Sequence, residues 1–183
     1  MTTIYLVRHA HAHWSSDEAR PLSTAGAASA RALGAELAGF PITAIYSSPS
    51  RRTIQTIEPA AERLGLQPQL IDDLRERELP PVGADEFERA VEETWRTPVV
   101  PVRGGEPNAI AQARAMAVMR HLIARHADEH IVVSTHGTLL VLILNGFDRT
   151  FGYNFWRGVA FPDVYKLAYA GKVITVDRIP PKW

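Results

Sequence analysis

Three short runs of apolar residues, at positions 4–7, 42–46 and 131–133, are near-continuous rather than alternating. A strand with one wet face alternates, whereas a strand buried on both faces does not. These runs therefore predict the core strands of a parallel sheet. Between them the apolar period changes to three and four. Gly26, Ala30, Leu33 and Leu37 repeat at helical spacing behind the capping candidates Ser23 and Thr24. Ile54, Ile57, Ala61 and Leu64 do the same, with Gly65 placed to end that helix. A third helix is predicted over residues 107–127, with Met116, Met119 and Ile123 on one face and Pro107 in its first turn. A fourth apolar segment, 138–144, ends at Asn145-Gly146, and late strands are expected at 164–169 and 173–176 around the turn Ala170-Gly171.

Strands alternating with helices predict an α/β fold with helices on both faces of a mostly parallel sheet. The stretch 70–106 breaks that rhythm. It holds Pro80, Pro81, Pro98, Pro101 and Gly104-Gly105, with an acidic piece at 85–93 that could form a helix. It reads as a lid or insertion over the site within a single domain spanning 1–183.

Composition narrows the function. A chain of 183 residues is of one-domain size. At 46% hydrophobic and 22% charged it is not disordered, collagenous or coiled-coil. Twenty Lys+Arg balance twenty Asp+Glu, which opposes a general nucleic-acid binder but leaves room for a small cationic pocket. With no cysteine, disulfides, thiolate catalysis, zinc–thiolate sites and iron–sulfur clusters are excluded. No apolar stretch approaches the roughly 20 residues of a membrane span. The N-terminus lacks a basic start, and its apolar run is halted by Arg8, so it is not a secretory signal. A cytoplasmic protein is the expectation; the oligomeric state is left open.

Each core strand ends in polar residues. Arg8-His9 follows the first, Ser47-Ser48-Pro49-Ser50-Arg51-Arg52 the second, and Ser134-Thr135-His136-Gly137 the third. In parallel α/β sheets the site lies at the carboxyl ends of the strands. Two histidines and at least two arginines would then converge on one edge, a set suited to a phosphoryl group. Guanidinium forks bind phosphate oxygens, and following helix N-termini add N–H donors. A neutral imidazole can attack phosphorus without a base to activate it, and nearby arginines keep it neutral. Arg51 and Arg52 point in different directions on a helix, so one of them is surface charge. His9, His11 and His13 alternate and would share a face on an extended segment, an alternative that makes the protein a metal-dependent hydrolase. His121, His126 and His130 fall on or after a charged helix end and are expected to be exposed. Trp14 either walls the pocket mouth or packs.

These residues resemble a known family. Leu6-Val7-Arg8-His9-Ala10 resembles the Arg-His-Gly signature of the histidine phosphatase superfamily, which includes the phosphoglycerate mutases. Trp14, Pro21-Leu22-Ser23-Thr24-Ala25-Gly26, Tyr46-Ser47-Ser48-Pro49, Arg52-Thr53-Ile54-Gln55-Thr56, Leu74-Arg75-Glu76, Gly104-Gly105-Glu106 and Ser134-Thr135-His136-Gly137 continue the likeness in order. The resemblance implies a three-layer α/β/α sandwich of the phosphoglycerate mutase type, with no metal and no cofactor. It implies that His9 is the nucleophile that becomes phosphohistidine and that Arg8 and Arg52 bind the phosphoryl oxygens. His136 would be a further donor, and Glu76 the first candidate for the proton donor, with Glu106 as rival. Gly137 is carried as a substrate-binding candidate. So is Ser15, which stands where many members have a phosphate-contacting Asn.

Other departures are Ala10 for Gly, His11 for Glu or Gln, and Pro107 for Ser. Ala10 matters only if that position requires positive φ. The chain is shorter than typical phosphoglycerate mutases, and their additional substrate-binding segments have no match here. The expected activity is thus cofactor-independent hydrolysis of a small phosphorylated substrate, with neither nucleic acid nor membrane as partner. Phosphoglycerate mutase-type transfer, the metal-dependent hydrolase and a non-catalytic phospho-ligand binder are the alternatives.

Overall fold

Ile4, Tyr5, Leu6 and Val7 are each at most 1% exposed, and their side chains part alternately into two cores. This computed structural model describes residues 1–183 apart from Ser16, Glu18, Lys172, Pro181 and Trp183. The strand carrying that run is β1 (Thr2–Arg8). With β2 (Ile42–Ser47), β3 (Gln69–Leu70), β4 (His130–Thr135), β5 (Asp163–Ala170) and β6 (Val173–Arg178) it forms one sheet of order β3-β2-β4-β1-β5-β6. The first four strands are mutually parallel; β5 runs antiparallel to β1, and β6 antiparallel to β5.

Helices α1 (Thr24–Leu37) and α2 (Arg51–Leu64) cover one face. Leu33, Leu37, Ile57, Ala60 and Ala61 pack there on Tyr5, Val7, Ile45 and Val132. Between these helices and the last pair comes α3 (Ala84–Arg96), within the irregular stretch. The other face is covered by α4 (Asn108–Arg125) and α5 (Gly137–Phe147), packed on Ile4, Leu6, Ile131 and Val133. A short α6 (Tyr153–Trp156) precedes β5. Burying one such aliphatic side chain is worth about 2 kcal/mol, so this two-sided core is what fixes the strand edge on which the site is built.

Local signals explain the helix ends. The Ser23 hydroxyl accepts from the Gly26 N–H at 3.0 Å and caps α1. Gly65, at φ 67°, closes α2 in the left-handed region. The apolar segment 138–144 is helical and buried on every side, which is why it lacks an amphipathic stripe. The acidic piece at 85–93 is the middle of α3, flanked by single 3₁₀ turns at Asp72–Leu74 and Val102–Gly104.

The expectation that the three late histidines are exposed holds only for His121. His126 is 8% exposed, because the turn after α4, with Asp128 at φ 62°, leaves it against Tyr46. Its Nε2 bonds the Tyr46 hydroxyl at 2.8 Å and its Nδ1 the Glu129 carboxylate at 2.9 Å. His130 is half-buried, its Nδ1 3.3 Å from the Tyr5 hydroxyl.

Candidate active site

Strand β4 lies between β1 and β2, and both neighbours continue their ladder to it one residue past their own ends. The His9 N–H donates to the Thr135 carbonyl at 3.0 Å, and the Ser48 N–H to the Ser134 carbonyl at 3.0 Å. This extension brings His9, Ser48 and His136 to one corner. The His9 and His136 rings meet edge-on with centroids 5.3 Å apart.

His9 is 7% exposed, and its Nδ1 lies 2.7 Å from the Ala10 carbonyl. A carbonyl can only accept, so Nδ1 carries the hydrogen and the Nε2 lone pair is left available. Burial pushes the His9 pKa down to about 3; the Ala10 carbonyl opposes this, and the charges of Arg52, Arg8 and Arg20 add to it. His136 is fully buried at the start of α5. Arg52 Nη2 donates to its Nδ1 at 3.1 Å, so its Nε2–H donates to the Ser48 hydroxyl at 2.9 Å. Burial, then His9, Arg52, Arg20 and Arg8, hold its pKa well below the usual imidazole value.

The Arg8 guanidinium donates to the Val159 carbonyl at 2.5 Å and lies 3.4 Å from the Phe161 ring centroid. Its buried Nε has no hydrogen-bond partner. Burial lowers its pKa to about 10, with Glu76 and Asp163 resisting the shift. A Cβ on Gly137 would stand 2.9 Å from Arg8 Cζ, so only glycine lets α5 begin directly on the guanidinium. Arg52 is 2% exposed, whereas Arg51 is on the surface. Thr56 ties the helix of Arg52 to the segment of His9: its hydroxyl accepts from the Ala10 N–H at 2.9 Å and donates to the Arg52 carbonyl at 2.6 Å. Ala10 is buried, and among the described residues only Arg103 and Asp128 are non-glycines at positive φ, so alanine is not strained there.

The Glu76 carboxylate accepts from the N–H groups of Arg77, Thr138 and Leu139 at 2.9, 3.1 and 3.0 Å, across the start of α5. Glu106 is held differently, by a bidentate pair with Arg114 at 2.8 and 2.8 Å. Burial raises the Glu106 pKa, but the Arg114 hydrogen bonds and charge outweigh it, and the net shift is downward. Arg114 also donates to the carbonyls of Asp73, Arg75 and Glu76, so it fastens the segment bearing Glu76 onto α4.

The structure thus brings together Arg8, His9, Arg52, Glu76, His136 and Gly137. The Ser15 hydroxyl accepts from the Asp17 N–H at 3.0 Å and its carbonyl accepts from Arg20. The expected common face of His9, His11 and His13 does not form. After Arg8 the chain leaves the sheet, and the His11 carbonyl bonds the Ser23 N–H at 2.9 Å ahead of α1, leaving His11 and His13 exposed while His9 is buried. Among the described residues no three His, Cys, Asp or Glu side chains gather around a common point. Sequence reasoning missed Arg20, Phe161 and Asp163, and quoted Ser48 only as part of a motif. Arg20 directly precedes the Pro21-Leu22 segment, which is a signal; Phe161 and Asp163 lie beyond every motif quoted.

A neutral nucleophilic nitrogen, guanidinium groups and a helix N-terminus at the carboxyl edge of a parallel sheet define an α/β protein suited to phosphoryl groups. The chain belongs to the histidine phosphatase superfamily (branch 1), the match covering residues 4–179, and phosphohistidine chemistry is typical of that family. A search of curated proteins finds no match. Among solved structures it is similar to Bacillus stearothermophilus YhfR, 23% identical with TM-score 0.79, over 97% of this chain and 96% of the other. It is similar also to a phosphoglycerate mutase from Bacillus anthracis, 21% identical with TM-score 0.81, over 97% and 92%. A phosphoserine phosphatase mutant from Entamoeba histolytica in complex with phosphoserine is 16% identical with TM-score 0.79, over 100% and 98%. At these identities the likeness is one of fold. No helix among the described residues is long and apolar enough to cross a membrane.

Proposed function

We propose that this protein is a cofactor-independent phosphatase that hydrolyses small phosphomonoesters through a phosphohistidine on His9. The observation that carries the reading is the bond from His9 Nδ1 to the Ala10 carbonyl, which leaves Nε2 as a neutral nucleophile in a cationic corner. Nε2 forms a bond to phosphorus while the ester P–O bond breaks. Arg8 and Arg52 stabilise the phosphoryl oxygens, and His136 joins them by turning its Nε2–H from the Ser48 hydroxyl to a phosphoryl oxygen. Glu76 in its acid form gives its proton to the leaving alkoxide. The Glu76 carboxylate then takes a proton from the water that attacks the phosphohistidine, releasing phosphate and restoring the acid. Glu106, bound to Arg114, serves instead to hold the Glu76 segment. The stretch 70–106 acts as a lid, with α3 joined to the α6 region by Glu88 to Arg157 at 2.6 Å. A cytoplasmic setting is part of the same proposal.

The test is a phosphatase assay over sugar phosphates, nucleotides, phosphoglycerates and phosphopeptides, with EDTA and His9→Ala as controls. Release of free phosphate, unaffected by EDTA and reduced about 10³-fold or more in His9→Ala, is expected. Full activity in that variant overturns the mechanism. Transfer between phosphoglycerates in place of phosphate release would assign the protein as a mutase.

A further inference from the structure

Above the phosphoryl corner, the mouth of the site is built of rings. Phe161 is 44% exposed; its ring covers Arg8 and lies 5.5 Å from the His9 ring and 6.1 Å from the His11 ring. His11 in turn meets His13 at 5.7 Å. The next residue, Trp14, is 57% exposed and meets Phe87 of α3 edge-on at 4.8 Å. Phe87 lies 6.1 Å from Trp156, which stacks on Tyr153 at 5.9 Å. Trp156 stands three residues before Val159, whose carbonyl seats Arg8. The ring series therefore starts beside the nucleophile and reaches the helix of residues 84–96.

Three arginines on the neighbouring segments are paired with carboxylates. Arg157 is paired with Glu88 at 2.6 Å, Arg103 with Glu86 at 3.1 Å, and Arg75 with Asp72 at 3.0 Å. Arg77 lies within the fields of both Glu76 and Glu106. A carboxylate on the leaving group that turned to Arg157, Arg103 or Arg75 would have to displace its partner. An aromatic group needs no such exchange and gains the exposed parts of the Phe161 and Trp14 rings.

We propose that the leaving-group side of the site selects phosphomonoesters carrying a planar aromatic group, which packs on the ring series running from Phe161 by way of His11 and His13 to Trp14. This rests on the phosphatase reading above. The test compares 2-phenylethyl phosphate, ethyl phosphate and phosphoserine, whose leaving groups are all alkoxides. The phenylethyl ester is expected to exceed both others about tenfold in kcat/KM, through a lower KM. Trp14→Ala, at an exposed position, is expected to cost the phenylethyl ester about fivefold and to leave ethyl phosphate unchanged. Preference for phosphoserine, or equal effects of Trp14→Ala on both esters, overturns the proposal. Calorimetric binding of 2-phenylethylphosphonate against ethylphosphonate reads the same subsite without turnover. Tenfold tighter binding with no hydrolysis of any ester defeats the phosphatase reading alone, and equal binding defeats this one.

Discussion

One carbonyl decides which nitrogen of His9 can react. Ala10 takes the Nδ1 hydrogen, and three arginines with burial keep the ring from gaining a second proton. The guanidinium beside it depends on the absence of a single carbon. In Gly137→Ala the new Cβ would stand 2.9 Å from Arg8 Cζ and must push the guanidinium off its seat. Alanine favours a helix over glycine by about 1 kcal/mol, so the variant should fold. Its kcat/KM should fall about tenfold or more, and steady-state kinetics beside a thermal melt checks both expectations. At this scale the sequence was largely legible. Arg8, His9, Arg52, Glu76, His136 and Gly137 all fall within quoted motifs and all meet. The bond by which the Ser15 hydroxyl accepts from the Asp17 N–H is a turn contact that no periodicity in the sequence signals. Periodicity could not rank Arg51 against Arg52, whereas the motif could.

At the scale of elements, the strand–helix alternation followed from apolar spacing, because these strands are wet on neither face. The segment 138–144 gave no such reading, since a helix buried all round has no polar stripe. The loop from Val159 to Asp163 was not legible at all. Its role comes from contacts: Asp163 is 1% exposed and accepts from Arg178 at 2.9 and 2.8 Å, from the Tyr165 hydroxyl at 2.9 Å and from the Ala160 N–H at 2.9 Å. That network holds the backbone whose carbonyls hold Arg8. Asp163→Asn keeps the shape and removes the charge. It should cost about 2 kcal/mol in urea unfolding, and should raise KM for any phosphomonoester by weakening the Arg8 seat. An unchanged KM with the full stability loss would show that the network supports the sheet alone.

For the whole molecule, the two buried imidazoles tie stability to pH. The unfolded chain protonates His9 and His136 near pH 6.5, while the folded chain protonates His9 only near pH 3 and His136 well below its ordinary value. Between those limits the unfolded state binds more protons. This contribution is therefore complete above pH 6.5 and is lost as pH falls toward 3, by up to about 1.4 kcal/mol per pH unit for each histidine. The melting temperature should drop between pH 6.5 and 4. His9→Gln should flatten that drop, as a calorimetric pH series would read. The zero net charge of the chain gave no hint of this, because it averages a cationic corner with acidic surfaces such as α3.

The seat of Arg8 has one more consequence. Its carbonyl partner is 151 positions further along the chain. A chain still being synthesised presents Arg8 and His9 well before His136 and Val159. Until Val159 has emerged, Arg8 lacks the carbonyl that seats it. On the proposed mechanism the growing polypeptide should carry His9, Arg52, Glu76 and His136 before the seat of Arg8 exists, and its phosphoryl corner should be complete only when the segment leading into β5 returns to lie beside β1.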